Sequence, residues 1–431
     1  MAMEPKYDIF RDPIHGFIKV YDVEKDIINS PPFQRLRRIR QLGLTNLVYH
    51  GAEHTRFGHS IGVMDLASKI LDSLWAKYTA LLTEKLGWDE KRFEVAQNKL
   101  RLAALLHDIG HAPFSHAAES LFPEIAGKRE NHETYGIKIV DQTDIGQIID
   151  SHSKDTGVSV SKTDVLELMN KKTLGLENIL LRNIFAGDLD ADRMDYLLRD
   201  SLYTGVQYGK FDSDRLIEKI GLTTKKQDGS LVIAIEESGL HAAEGLLLAR
   251  YFMFTQVYFH QIRRIYDIHL RKVVQEALKE RFTCTEYPDD VKKYLELDDN
   301  VIFSFIQQKA RDKSLEEAIF IQDRKHYYLL KQTSERVEGP EFTDFNKLVE
   351  ALITKYGEEF VIQDVSTDAP YRYDSKRGDD ELLVILKNEE PRAISARSKL
   401  IDHLDEIFQL RVYVHPDRYE DATLMLGAGN K

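Results

Sequence analysis

The stretch His107-Asp108-Ile109-Gly110-His111-Ala112-Pro113-Phe114-Ser115-His116 places three imidazoles and a carboxylate within ten residues. Adjacent His and Asp supply one nitrogen and one oxygen ligand from consecutive positions. That pairing suits a borderline divalent ion such as Zn, Mn or Fe, or one that keeps part of its water such as Mg. The approach from Leu100 to Leu106 is apolar, with Leu102, Leu105 and Leu106 at helical spacing, and Gly110 stands where a helix C-cap would fall. The spacing predicts a buried helix, Arg92 to His107, whose end presents the His-Asp pair inward. A helix C-terminus favours His⁺ on dipole grounds alone, and a single His would mean no more than that. Three with an Asp point to a site.

Two other stretches complete a ligand set. Glu53-His54-Thr55-Arg56-Phe57-Gly58-His59 leads into an amphipathic helix, Ile61 to Tyr78, carrying Ile61, Val63, Leu66, Ile70 and Leu74. His59 falls near its N-terminus, where the positive helix end favours the neutral imidazole that a metal needs. Asp188 to Asp200 is dense in acids, and a helix from Asp192 to Asp200 puts Asp192, Tyr196 and Asp200 on one face. Asp195 and Arg199 pair on another face, read as a solvated i,i+4 salt bridge. His59, His107, Asp108 and Asp192 would give two imidazoles and two carboxylates, which balance a divalent charge.

The 431 residues are 42% hydrophobic and 30% charged, the balance of a globular protein with a large core. Met1 to Phe10 lacks the apolar core of a signal peptide, and no apolar run reaches membrane-spanning length. The single Cys284 excludes an intrachain disulfide framework and a cysteine zinc cage, and fits a reducing cytoplasm. A net charge of −12 argues against general nucleic-acid binding, although a locally basic pocket could still take a small polyanion. Texture divides the chain into an N-terminal segment (1–48), a core that reads as helix after helix (49–285) and an α+β C-terminal region (286–431). The first part holds strand-like turns and then a helix from Pro32 to Leu42, stopped by Gly43. The second contains one long helix from Leu240 to Glu280. The third has β-rich runs at 360–362, 382–386 and 410–414.

Arg56…His59, His107-Asp108 and Asp192, in that order, resemble the HD-domain phosphohydrolases. Five fuller motifs occur in sequence: DPIHG (Asp12–Gly16), FQRLRRIRQLG (Phe33–Gly43), RFGHSIGV (Arg56–Val63), HDIGHAPFSH (His107–His116) and DADRMDYLLRD (Asp190–Asp200). With RVYV at Arg411–Val414, they resemble the deoxynucleoside triphosphate triphosphohydrolase branch over nearly the whole chain, in its shorter bacterial form. The resemblance implies a mainly α fold, an HD-domain helical core with a smaller α+β C-terminal region. It makes His59, His107, Asp108 and Asp192 metal ligands for a divalent ion (Mg, Mn, Fe or Zn). His111 and Arg56 match contacts to the α-phosphate. His116 matches a general acid on the leaving 5′-oxygen, beside a Glu119–His132 dyad in which Glu119 replaces the Asp of the vertebrate enzyme. Arg193, Tyr196 and Arg250 match the phosphate-tail contacts, Gln41 and Asp200 the readers of the sugar 3′-hydroxyl, and Leu42 and Tyr258 the wall that excludes a 2′-hydroxyl. The implied reaction releases a deoxynucleoside and intact triphosphate, in a homo-oligomer, by analogy a tetramer.

On pattern alone several of these residues read otherwise. Arg56 and Arg250 would be exposed side chains, Tyr258 a core aromatic beside Phe252, Phe254 and Phe259, His260 a core histidine, and His15, His50 and His54 structural or solvated. In Gln34–Arg40, Phe33, Leu36 and Ile39 form an apolar stripe that leaves four Arg on the other faces as a solvated basic surface. In the branch resembled, that segment belongs to a regulatory nucleotide site between subunits, which here would use Asn29, Gln34, Arg37 and Arg392. Asn29 replaces the Asp that reads guanine, and one acceptor group cannot meet two N–H donors. Two other functions remain open. One is an HD phosphohydrolase acting on ppGpp-like or cyclic dinucleotides; the cyclic version is disfavoured because no Gly-Tyr-Pro follows the His-Asp motif. The other is a non-catalytic nucleotide-sensing or nucleic-acid-binding module.

Overall fold

The computed structural model describes residues 7–156, 160–170, 175–225, 230–369, 381–387 and 390–428. The chain starts with an antiparallel hairpin, β1 (Tyr7–Asp12) and β2 (Gly16–Tyr21). Its turn is set by Asp12, whose Oδ1 accepts the amides of Ile14 (2.8 Å) and His15 (3.0 Å). Ile18 and Val20 point into the core. Helix α1 (Asp22–Asn29) follows. The helix expected over Pro32–Leu42 is a single turn, Pro31–Gln34, continued by a 3-10 turn, Arg35–Arg38. It ends there because Ile39 is extended and the backbone turns to pair with the entry to the next helix: Arg56 N bonds to Ile39 O (3.0 Å) and Gln41 N to His54 O (3.1 Å).

The core is built on α2 (Arg56–Leu86), α3 (Glu90–Leu106), α4 (His132–Gln142) and α5 (Ala191–Thr204). From Leu100 to Leu106 every residue of α3 is buried, which places the His-Asp pair at the end of an interior helix as its spacing predicts. Gly110 is not a left-handed cap. A Cβ there would lie 2.0 Å from His132 O and 2.3 Å from Gly136 N, so its role is to admit the backbone of α4. Gly62 does the same for α5, since a Cβ there would lie 2.0 Å from Asp195 Oδ1.

Besides a short antiparallel pairing of Glu124–Ile125 with Lys128–Arg129, two larger features interrupt the helical reading of residues 49–285. The strands β3 (Ile220–Thr224) and β4 (Leu231–Glu236) form a hairpin. The long helix breaks into α6 (Leu240–Met253) and α7 (Gln261–Phe282) across a π turn at Phe254–Tyr258. No Gly or Pro marks this break. Side chains from elsewhere satisfy the freed carbonyls: Arg411 donates to Phe259 O at 2.8 Å, and Arg263 donates to Tyr258 O.

Beyond α7 come α8 (Asp299–Arg311), β5 (Tyr328–Gln332), α9 (Gly339–Tyr356), β6 (Val361–Asp368), β7 (Leu383–Ile385), β8 (Arg392–Ala393) and β9 (Ile407–Val414). β9 lies antiparallel between β5 and β6. β7 pairs in parallel with β4, giving a four-stranded sheet in the order β8-β7-β4-β3 that joins the C-terminal region to the helical part. The fold is mainly α with a smaller α+β portion. No helix of the described residues is long and apolar enough to cross a membrane.

His269 on α7 is fully buried, between the rings of Phe320 and Tyr327, and neither ring nitrogen has a hydrogen-bond partner. Burial, with Lys272, His326 and His415 nearby, holds its pKa down to about 3 from 6.5. The unfolded chain therefore binds a proton that the folded chain refuses, and the stability present above pH 6.5 is lost as pH falls towards 3. Urea titrations across that range should show His269→Phe with a shallower acid-side decline than the wild type.

Candidate metal centre and substrate cleft

Two imidazoles and two carboxylates approach one another where α2, α3 and α5 converge. His59 Nε2 lies 3.1 Å from Asp192 Oδ1 and 3.3 Å from Asp108 Oδ2. His107 Nε2 lies 3.3 Å from Asp108 Oδ1 and 3.8 Å from Asp192 Oδ1. Ligands sharing an ion with bonds of about 2.1 Å sit roughly 3–3.4 Å apart; the His59–Asp108, His59–Asp192 and His107–Asp108 spacings fall in that range, the His107–Asp192 spacing is wider, and His59, His107 and Asp108 form the compact group that could hold an ion. The imidazoles are oriented from behind, because His107 Nδ1 donates to Ala104 O at 2.7 Å and His59 Nδ1 to Asp195 Oδ2 at 2.8 Å. Each ring can then offer its Nε2 lone pair to a cation. Burial opposes charge on both carboxyls, yet Arg56 with the imidazoles of His107 and His111 outweighs it for Asp108, and the imidazoles of His107 and His59 outweigh it for Asp192, holding both well below the usual range. Burial also opposes charge on His59, and the carboxylates of Asp108, Asp192 and Asp195 overcome it and raise its pKa. The cluster demands positive charge, and a divalent ion would supply it in place of protons.

Beside this centre lies a shelf of imidazoles. Arg56, 2% exposed and so not a surface residue, donates to Asp108, to Ser115 Oγ (2.7 Å) and towards His116 Nε2 (3.4 Å). His111 Nε2 lies 3.2 Å from Asp108 Oδ1. Burial, Arg56 and His132 push its pKa well down, which keeps it neutral. Glu119 bridges His116 Nδ1 (3.0 Å) and His132 Nδ1 (2.5 Å). His111, His116, Glu119 and His132 are close enough to suggest a second cation site. The rings of His111 and His132, however, are stacked 3.9 Å apart at 14°, so their in-plane lone pairs cannot converge on one ion. The turn that carries this group is strained: Phe114 (φ +58°) and Ser115 (φ +59°) are both left-handed, at roughly 1–3 kcal/mol each.

The residues expected to meet the substrate continue along one face of α5. Asp200 accepts Tyr258 OH at 2.7 Å through Oδ2 and bonds His54 Nε2 at 2.7 Å through Oδ1. Tyr196 and Tyr258 stand edge to face at 6.3 Å. Tyr258 is the last residue of the π turn. Gln41 and Leu42 are buried, as are Arg193 and Arg250. Arg193 Nη1 donates to Asp188 O at 2.9 Å. Arg250 departs from its surface reading: it is 6% exposed, donates to Asp368 Oδ1 at 2.7 Å and to Ala369 O, and stacks on Phe254.

Residues 56–200 match the HD domain and residues 211–423 the HD associated region. The chain is 31% identical over 421 residues to the uncharacterized protein YwfO of Bacillus subtilis (strain 168), covering 92% of this chain and 89% of that one. The chain belongs to the HD-domain family. It is also 32% identical over 299 residues to the deoxynucleoside triphosphate triphosphohydrolase SAMHD1 homolog of Dictyostelium discoideum, over 68% of this chain and 54% of that one. The chain thus spans about half the length of that relative. A crystal structure of a hypothetical protein from Aquifex aeolicus matches with a TM-score of 0.78 and 32% identity, covering 98% of this chain and all of that one. Two residues of the cleft, Arg56 and Asp200, bound the matched HD domain.

What the sequence did not disclose is how the HD cluster is braced. Asp195 and Arg199 are not a solvated pair; they are 0% and 2% exposed. Asp195 accepts His59 Nδ1, His15 Nε2 (2.6 Å) and two bonds from Arg199 (both 2.8 Å), and Arg199 reaches back to Asp12 Oδ2 at 3.0 Å. The DPIHG motif, in which Asp12 and His15 lie, is the signal that could have indicated this. His54 is likewise buried, behind Asp200, whereas His50 is exposed and His260 half-buried.

The regulatory candidates lie elsewhere. Asn29 is exposed at the end of α1. Gln34 donates to Ile28 O (2.7 Å) and accepts Arg37 Nε (2.9 Å), while the exposed Arg37 guanidinium lies 3.5 Å over the Phe57 ring. Arg392 is exposed on β8. Arg35 breaks the pattern of a solvated basic face. It is 1% exposed and donates to His111 O (2.8 Å) and Leu297 O (2.7 Å). Asp195→Ala would leave the Arg199 and His59 donors facing a gap, and urea denaturation should register a loss of about 3–5 kcal/mol.

Proposed function

We propose that this protein is a divalent-metal-dependent deoxynucleoside triphosphate triphosphohydrolase, releasing a deoxynucleoside and triphosphate. One observation carries the reading. Buried polar atoms in folded proteins are mostly paired; among the described residues nineteen buried side-chain atoms have no hydrogen-bond partner, and five of them, His107 Nε2, His111 Nδ1, Gln41 Oε1, Arg193 Nη2 and Arg250 Nε, concern this site. They fall on a residue of the donor cluster, on the imidazole shelf, and on the parts of the cleft matched to sugar and phosphate tail. A metal-bound nucleotide would satisfy such a set. The Dictyostelium relative's description agrees with this substrate.

His59, His107, Asp108 and Asp192 would hold the ion, which when bound offsets phosphate charge and makes water a better nucleophile. Arg56 and the neutral His111 contact the α-phosphate. Water attacks the α-phosphorus, the bond to the 5′-oxygen breaks, and His116 delivers a proton to that oxygen while Glu119 and His132 orient it. Arg193, Tyr196 and Arg250 hold the phosphate tail; for Arg250 this means exchanging Asp368 for a phosphate oxygen. Gln41 and Asp200 read the 3′-hydroxyl. Leu42 and Tyr258 leave no room for a 2′-hydroxyl. The enzyme works as a homo-oligomer, a tetramer by analogy, activated by a nucleotide at Asn29, Gln34, Arg37 and Arg392.

Incubation with Mn²⁺ and each dNTP, with and without a second nucleotide, should yield tripolyphosphate on ion exchange; pyrophosphate or orthophosphate would point to another HD phosphohydrolase. His107→Ala and Asp192→Ala should each lower metal affinity by more than the roughly 10–100-fold typical of losing an outer hydrogen-bond partner, and abolish turnover; near-normal activity in either would remove the site. Arg37→Ala should leave metal content unchanged while reducing nucleotide activation or assembly, read by metal analysis and sedimentation.

A further inference from the structure

Asp299, the first residue of α8, has no part in the chemistry above, and its buried carboxylate holds two segments that lie far apart in sequence. Its Oδ2 accepts the backbone amide of Arg40 at 2.8 Å, and its Oδ1 accepts that of Phe114 at 2.7 Å. Arg40 immediately precedes Gln41 and Leu42, the residues matched to the sugar. Phe114 immediately precedes Ser115 and His116 and opens the left-handed pair at the imidazole shelf. The same two segments are tied once more, because Ser115 Oγ donates to Arg40 O at 2.6 Å while accepting from Arg56 Nε.

We propose that Asp299 is a positioning residue, which fixes the distance between the sugar-reading segment and the turn carrying His116 by holding one amide from each. The proposal rests on the hydrolase reading for its catalytic consequence. Only a carboxylate offers an acceptor at both oxygens; an Asn in its place would turn an NH₂ group towards one of two N–H donors. Burial pushes the Asp299 carboxyl up to about 7, with the two amides, Arg40 and Arg35 pulling it down. The two-amide clamp is therefore complete in the ionised form and weakens as pH falls below about 7. The neighbouring Asp298 serves as the contrast: it caps α8 through Val301 N (3.1 Å) and pairs with the half-exposed Arg38. An Asn there would still cap the helix.

The test compares Asp299→Asn with Asp298→Asn in the full chain, both loaded with Mn²⁺. In Asp299→Asn, kcat on a dNTP should fall about tenfold or more, with metal content unchanged. Hydrogen–deuterium exchange should rise in the peptides spanning 39–43 and 112–117. Asp298→Asn should stay within about twofold of wild type in kcat and leave both peptides protected. Unchanged exchange at the two segments in Asp299→Asn, or equal losses of kcat in the two variants in step with their melting temperatures, would overturn the proposal. Should the wild type fail to turn over any dNTP while Asp299→Asn still deprotects both segments, the clamp stands and the substrate assignment falls.

Discussion

The site depends on a carboxylate that touches neither metal nor substrate. Asp195 sits in the interface between α2 and α5, where Gly62 leaves room for it, and receives His59, His15 and Arg199. Burying a carboxylate is costly unless the charge is paired and hydrogen-bonded. Here the Arg199 pair and the two imidazoles outweigh burial and keep its pKa well below the ordinary value. That single group fixes which nitrogen of His59 faces the cluster, seats Asp192 one turn earlier on the same helix, and anchors the N-terminal hairpin through His15 and the Arg199–Asp12 bond. Moving α5 away from α2 would dismantle the donor set and detach the hairpin together.

A second constraint works by strain. Two successive non-glycine residues, Phe114 and Ser115, occupy the left-handed region. They are held there by side chains whose sequence neighbours lie far away: Asp299 on the Phe114 amide, Arg56 on the Ser115 hydroxyl and Arg35 on the His111 carbonyl. The imidazole shelf is therefore fastened from three directions before any substrate arrives. Such preorganisation is what a phosphoryl-transfer site requires, since positioning and electrostatics carry most of that chemistry.

Much of this was legible in the sequence, for identifiable reasons. The helix leading to His107 announced itself through an apolar run broken only by Arg101, and His59, His107 and Asp108 through residue types suited to a cation. The strand at Ile407–Val414 showed its β-branched and aromatic character. Other features left no local trace. The Pro32–Leu42 helix fails because residues 39–41 pair with 54–56, a tertiary preference invisible in the segment itself. The π turn before Tyr258 is paid for by Arg411, some 150 residues later. Arg35, Arg199 and Arg250 look like surface cations by pattern, and only the partners His111 O, Asp195 and Asp368 bring them inside.

The parallel pairing of β4 with β7 has a consequence for how the chain is made. β4 ends at Glu236 and its partner begins at Leu383, so about 150 residues must be synthesised between them. At roughly 5–20 residues per second, the nascent chain carries an unsatisfied strand edge for roughly 8–30 s. That edge, Leu231-Val232-Ile233-Ala234-Ile235-Glu236, is apolar along most of its length. Open edges of this kind template association with other chains. The helical core thus leaves the ribosome with an adhesive margin that closes only when residues 383–385 emerge.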